Sequence, residues 1–344
     1  MSRILPILAA IAMSLSSLNI FAQADSTDVA ADKEINVIEI ISHHISDSHH
    51  WNVFTWNDGK SSIDIPLPVM AYNKDNGDFL FAMSSSLSDG QAVEKNGVAY
   101  TLNEHDKLCA NGSRDAIFDF SLTRNVASGI MVGIILLLVF GGAARSIRKN
   151  NGIPKGAAGA VEYLMTFVKD IADEQIGKEK SARFTPFLLT LFFFIWFNNL
   201  VGLIPFFPGS TNLSGNIAFT GILAVFTFIV THFSANKHYW IETFTVPTVP
   251  GIMKIIMIPL EIITMFTRPF TLLIRLFANI TGGHIIVISL FSLIFIISSL
   301  APVSVLLGLL VFSLELIFGA LQAYIFTVLS ALYISLAVNA SSEE

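Results

Sequence analysis

The stretch PFTLLIRLFANITGGHIIVISLFSLIFIISSLAPVSVLLGLLVFSLELIFGALQAYIFTVLSALYISLAVNA, Pro269 to Ala340, decides the fold. Across its 72 residues only Arg275, His284 and Glu315 carry an acid, a base or an imidazole. A run this apolar belongs in lipid, where an arginine or a glutamate costs about 2.5–3.5 kcal/mol each. Charges kept at that cost mark a function. Hydrogen bonding between two helices is the blander explanation, but lipid-facing filler accounts for none of the three.

Spacing sharpens this. Ser298, Ser299, Leu300, Ala301 and Pro302 make a break between two helices. An antiparallel hairpin folded there places opposite one another residues whose numbers total about 600. His284 with Glu315 totals 599, and Arg275 with Gln322 totals 597. Glu315 and Gln322 are seven apart and share one helix face, as do Arg275 and Asn279, four apart. The expectation is a polar seam inside an apolar hairpin, shaped like an ion path.

The run Arg268-Pro-Phe-Thr-Leu-Leu-Ile-Arg275-Leu-Phe-Ala-Asn279-Ile-Thr-Gly-Gly-His284, followed by Glu315 and Leu321-Gln322-Ala-Tyr-Ile-Phe326, resembles subunit a of the F-type ATP synthases, the stator half of a membrane motor. Asn198-Asn199-Leu-Val-Gly-Leu-Ile-Pro205 resembles that family's second-helix motif, and the likeness covers about residues 185–335. Some family members carry the acid and the imidazole in the opposite order, an exchange that the 599 register tolerates if the two groups touch.

The resemblance implies a role and partners. A ring of small hairpin subunits, the c-ring, carries buried carboxyls past Arg275. The guanidinium stays charged, favours proton loss from the passing acid and blocks a direct leak by repulsion. Protons enter one half-channel and leave by another, driven by about 2.3 kcal/mol per charge for each 100 mV. Other implied partners are b-type stator subunits, the remaining ATP synthase subunits and the lipid bilayer, but no nucleic acid. The implied ion-translocation residues are Arg275, His284, Glu315, Gln322, Asn279 and Glu261. Glu261 lies fourteen residues before Arg275, about 21 Å along a continuous helix and near the same face. From its place in the family it lines the cytoplasmic access path; read alone, it is an acid at a helix start with its head in water. The favoured coupling ion is H⁺.

Composition points the same way. The chain is 53% hydrophobic and only 13% charged, with mean hydropathy +0.65, whereas soluble domains carry about 25% charge. Residues 1–24 have the parts of a cleavable signal peptide: Arg3, an apolar core from Ile4 to Met13, and the Ala22-Gln-Ala24 ending. Residues 25–125 hold 16 acids against 7 bases, which suits an exported, periplasmic region. Runs at Ile35–Ile41, Trp51–Trp56, Ile63–Tyr72 and Asp78–Met83 predict short strands. With Cys109 alone, no internal disulfide forms. His43, His44, His49 and His50 read as a solvated polar stretch rather than a metal site, since no cysteine accompanies them.

The expected fold is an all-α polytopic membrane protein with about five membrane helices, a long C-terminal hairpin among them, and a small β-rich exported N-terminal region. Its segments are a signal peptide (1–24), the exported region (25–124), a first membrane helix (125–145) and a cytoplasmic amphipathic segment (146–184). Second and third membrane helices (185–233), a cytoplasmic loop with an interfacial helix (234–258) and the ion-translocating hairpin (259–338) follow. Arg145, Arg148, Lys149 and Lys155 put the far end of the first span in the cytoplasm, and the C-terminus is then cytoplasmic too. A proton-coupled secondary transporter is the alternative, yet the 260–335 pattern has no internal repeat. No Walker loop, His-Glu-x-x-His or Gly-x-Ser-x-Gly is present, so nucleotide chemistry belongs elsewhere, and no cofactor or metal is expected.

Overall fold

Two periodicities divide the chain, alternation of two before Arg124 and helical periodicity after it. The computed structural model describes residues 47–56, 61–87, 92–103, 106–113, 117–204, 209, 211, 213–245, 250–296 and 301–340. The signal peptide, the Ile35–Ile41 strand, His43 and His44, and the turn residues Ser298, Ser299 and Leu300 lie outside them.

The N-terminal part contains eight strands among the described residues: β1 (His50–Trp56), β2 (Ser61–Pro66), β3 (Pro68–Asn73), β4 (Phe79–Met83), β5 (Val93–Lys95), β6 (Val98–Leu102), β7 (Leu108–Ala110) and β8 (Ile117–Asp119). β1 pairs with β2, and two three-stranded antiparallel sheets run in the orders β4-β3-β8 and β5-β6-β7. The single Ile63–Tyr72 strand expected from the sequence is two strands, interrupted at Leu67. Val69, Ala71, Leu80 and Ile117 on one side of the first sheet pack with Leu87, Val98, Tyr100, Leu108 and Ala110 as a small core. Burial of this apolar set supplies the stability that no disulfide provides.

Seven α-helices follow among the described residues: α1 (Arg124–Lys149), α2 (Ala157–Ile176), α3 (Lys178–Gly202), α4 (Ile217–Phe233), α5 (Lys237–Thr245), α6 (Gly251–Ile296) and α7 (Ala301–Val338). Four are long and apolar enough to cross a membrane: Arg124–Lys149, Lys178–Gly202, Gly251–Val287 and Val305–Val338. The remaining expected span, α4, has 17 residues and meets the same measure only together with α5, from which it bends by 104°. The fold is thus that of a polytopic α-helical membrane protein with a small β-rich N-terminal region.

Local chemistry sets several boundaries. Asn216 caps α4, its side chain accepting from the Ala218 amide. Gly177, at φ 95, separates α2 from α3 in a conformation that disfavours other residues. The second span therefore starts within a helix that begins at Lys178, seven residues before the expected Thr185. α6 runs unbroken through Pro259 and Pro269 and begins at Gly251, ahead of the expected 259. Proline persists in a membrane helix where neighbouring helices pack against it.

α2 departs from a simple surface helix. Val168, Ile171, Ala172 and Ile176 are buried in the same core as Leu188, Leu191 and Phe192 of α3 and Phe326 and Ile334 of α7. Tyr163 of this amphipathic segment is 73% exposed. Leu272, Leu276 and Ile280 of α6 complete the core against α7. This packing fixes the rotation of α6 and α7 about their axes, and hence which polar groups meet.

A polar seam between α6, α7 and α3

Helical spacing puts Arg275 and Asn279 on one face of α6, with His284 half a turn round from Arg275, and puts Glu315, Gly319 and Gln322 on one face of α7. His284 Nε2 lies 3.4 Å from Glu315 Oε1, with the Glu315 side chain 6% exposed. The separation is that of an ion pair, longer than the 2.7–2.9 Å of a charge-assisted hydrogen bond. Five residues away, Asn279 Nδ2 donates to Gln322 Oε1 at 3.0 Å. The hairpin register is thus observed twice, at totals of 599 and 601.

The sequence set Gln322 opposite Arg275, but the hydrogen bond that Gln322 makes is to Asn279. Gln322 is buried, and Asn279 stands one turn nearer the hairpin end of α6. Arg275 is half-buried. The physical reason is rotation: Arg275 and Asn279 share a broad face, but packing of Leu272, Leu276 and Ile280 into the core turns Asn279 toward α7.

Three contributors escaped the sequence reading. Gly283 lies so near Glu315 that a Cβ there would stand 3.2 Å from Oε1. Gly319 does the same for α3: its carbonyl accepts from Asn199 Nδ2 at 3.0 Å, and a Cβ would stand 3.1 Å from the Asn199 Cβ. Small residues at helix contacts are the available signal for both. The third is Arg268, whose guanidinium lies 3.9 Å from Glu261 Oε1 and 5.8 Å from the centre of the Tyr333 ring. Glu261 is therefore paired two turns along its own helix, away from the His284–Glu315 contact. The seven-residue spacing was the readable sign.

The seam holds unmatched polar atoms. Asn198 Oδ1, Asn199 Oδ1, Ser214 Oγ and Gln322 Nε2 are buried without a hydrogen-bond partner. Buried groups of this kind bind water or an ion where space allows. Thr281 Oγ1 of α6 donates to the Gly215 carbonyl at 3.5 Å, and Thr211 Oγ1 donates to Ser128 Oγ of α1 at 2.7 Å.

The histidine-rich stretch is not solvated at His49, which corrects the sequence expectation. His49 is 3% exposed, with Nε2 3.4 Å from Asp119 Oδ2 and Nδ1 2.6 Å from the Asp106 carbonyl oxygen. Burial disfavours its charged form, but Asp119 and Asp106 outweigh that, and its pKa is raised above 6.5. Burial likewise opposes ionisation of Asp119; hydrogen bonds from His49 and Ser121 prevail and hold it at about 2. Ser48 Oγ donates to Asp106, and Asp47 accepts from the Asn125 amide at the start of α1. No group of three or more His, Cys, Asp or Glu among the described residues is placed to hold a metal ion.

Comparison with known proteins follows this geometry. The family model described as ATP synthase A chain matches residues 126–335, from α1 almost to the end of α7. A second, described as Domain of unknown function (DUF8433), matches residues 40–125. The chain is 47% identical over 229 residues to the ATP synthase subunit a of Chloroherpeton thalassium, covering 64% of this chain and 68% of that protein. It is 44% identical over 229 residues to ATP synthase subunit a 2 of Chlorobaculum tepidum, with 64% of each covered. It is also 44% identical over 228 residues to the ATP synthase subunit a of Chlorobium phaeobacteroides, covering 64% of this chain and 66% of that one. The matches span about two thirds of these relatives' length. With more than half of its residues inside the family match, the chain belongs to the ATP synthase A chain family.

Proposed function

We propose that this chain is the proton-translocating stator subunit of the membrane sector of a rotary ATP synthase, itself without nucleotide chemistry. The single observation that carries the reading is the His284–Glu315 contact, an acid and an imidazole brought together inside an apolar hairpin. An acid and an imidazole in contact form a pair along which a proton is handed from one group to the other. Arg275 lies nine residues from His284, about 14 Å along α6, and Glu261 lies about 21 Å beyond on the other side. The three are staggered over a distance comparable with the ~30 Å hydrocarbon thickness.

In this reading His284, Glu315, Asn279 and Gln322 line the outer half-channel, and Glu261 with Arg268 lines the cytoplasmic one. Arg275 stands between them. Its fixed charge excludes a proton crossing directly and favours the ionised form of a carboxyl that a c-ring subunit brings beside it. A proton therefore travels with the ring. b-type stator subunits and the remaining subunits hold the chain against rotation. The protein is placed in a bacterial inner membrane, with the N-terminal region periplasmic and the C-terminus cytoplasmic, in keeping with Arg145, Arg148, Lys149 and Lys155 at the end of α1.

The test is proton-driven ATP synthesis in membrane vesicles carrying Arg275→Ala. Synthesis falls to background, and Arg275→Lys restores little, because an ammonium loses its proton more readily when buried and lacks the planar fork. Synthesis near the unsubstituted level in the alanine variant overturns the assignment.

A further inference from the structure

The β4-β3-β8 sheet is apolar on both faces. Its inner face is the small core, with Val69, Ala71, Leu80 and Ile117 buried. Its outer face carries Phe79, Phe81, Phe118 and Phe120 at 65%, 72%, 50% and 63% exposure, with Met70 and Met83 also exposed. Register makes these one surface: Met70 stands opposite Phe81, Tyr72 opposite both Phe79 and Phe118, and Pro68 opposite Met83. Contiguous aromatic surface of this kind marks a contact site rather than ordinary exposure.

We propose that this face lies on the membrane, its rings in the interfacial layer beside the head of α1. Attachment is the first argument. β8 continues past its last residue as a paired segment, since the Phe120 amide donates to the Met70 carbonyl at 2.8 Å and the Leu122 amide to the Pro68 carbonyl at 3.1 Å. Only Thr123 then separates it from α1. No linker intervenes, so Phe120 is at most about 14 Å from Arg124. Headgroup layers are roughly 5–8 Å thick on each side of the hydrocarbon core. The exposed Val126 and Ile130 of α1 continue the apolar surface into the bilayer.

The chemistry of the face is the second argument. Protein interfaces carry roughly one hydrogen bond per 100–200 Å², and a face of aromatic rings and thioethers supplies few groups to make them. This face presents rings and thioethers, with the Tyr72 hydroxyl as its polar group. Acids nearby are engaged elsewhere: Asp119 faces His49 and Asp78 accepts from Asn96. Lys74 Nζ lies 4.1 Å above the centre of the Phe118 ring, a cation held on this face that suits anionic headgroups. Interfacial elements bury such faces about 5–10 Å into the headgroup boundary.

The experiment uses the full chain in liposomes of phosphatidylethanolamine and phosphatidylglycerol, with a nitroxide at Phe81→Cys or, separately, Phe118→Cys. Ile130→Cys is the lipid reference and Glu94→Cys the aqueous one; buried Cys109 leaves the background low. Collision rates with oxygen and with a water-soluble nickel chelate are measured. At 81 and 118 chelate collisions are lost and oxygen collisions gained relative to 94, a shift toward the values at 130. Labels that match position 94, or that are shielded from both reagents as beneath another protein, overturn the proposal. Neither result depends on proton translocation.

Discussion

His284 and Glu315, thirty-one residues apart, meet at 3.4 Å across the antiparallel pair α6 and α7, with Glu315 nearly closed from solvent. Removing His284 leaves the Glu315 carboxyl buried without its imidazole, and removing Glu315 takes the acid away from His284. Single alanine substitutions at 284 and 315 are each expected to lower proton translocation strongly. Combining His284→Glu with Glu315→His recovers a good part of it. A double-mutant cycle on translocation rate reads a coupling of about 0.5–3 kcal/mol, and strict additivity would show that the contact has no functional weight.

Adjacent glycines offer a sterically controlled comparison. A Cβ at Gly282 meets nothing within 4 Å, while one at Gly283 stands 3.2 Å from Glu315 Oε1. Alanine favours a helix over glycine by about 1 kcal/mol at either place. Gly282→Ala should leave proton pumping intact and raise thermal stability slightly. Gly283→Ala should displace the carboxyl and slow pumping; equal pumping in the two variants would remove Gly283 from the site.

Asn279 and Gln322 make the second cross-hairpin contact. Asn279→Ala strips the Gln322 side-chain oxygen of its donor, at an expected cost of about 1–3 kcal/mol. Thermal unfolding of the purified protein measures it. A change within a few tenths of a kcal/mol would indicate that water takes over the role.

His49 and Asp119 make the N-terminal region pH-sensitive in two directions. Asp119 is held at about 2 against 3.8, so its contribution is present above pH 3.8 and fades as pH falls toward 2. His49 is raised, so its contribution is complete below 6.5 and fades as pH climbs through the higher folded value. Stability of this region should be greatest between roughly pH 4 and 6.5 and decline as pH rises above that range. Asp119→Asn should flatten that decline, as read by amide exchange of Leu108–Ala110 at several pH values.

Sidedness can be tested with a thiol, though not with Cys109, which is buried in β7. Glu94→Cys is exposed and should react with a membrane-impermeant reagent in intact spheroplasts. Reaction only after permeabilisation would mean that the topology is inverted.

The sequence alone determined the hairpin and its register. Sparse charge in a 72-residue apolar run, a break near Pro302 and a seven-residue spacing on one face are local periodicities, and periodicity survives without knowledge of neighbours. It likewise ended the third membrane helix at residue 233, where α4 ends, and placed the strands Trp51–Trp56 and Asp78–Met83 to within a residue. What only the tertiary structure decided was which of several groups on a face meets its opposite. Gln322 takes Asn279 rather than Arg275, Glu261 takes Arg268, and His49 is buried against Asp119. Spacing along an element fixes a face about a third of the helix circumference wide. Choosing within it needs the rotation of each helix about its axis, and close packing of residues distant in sequence, such as Leu276 against the α7 core and Asn199 against Gly319, sets that rotation.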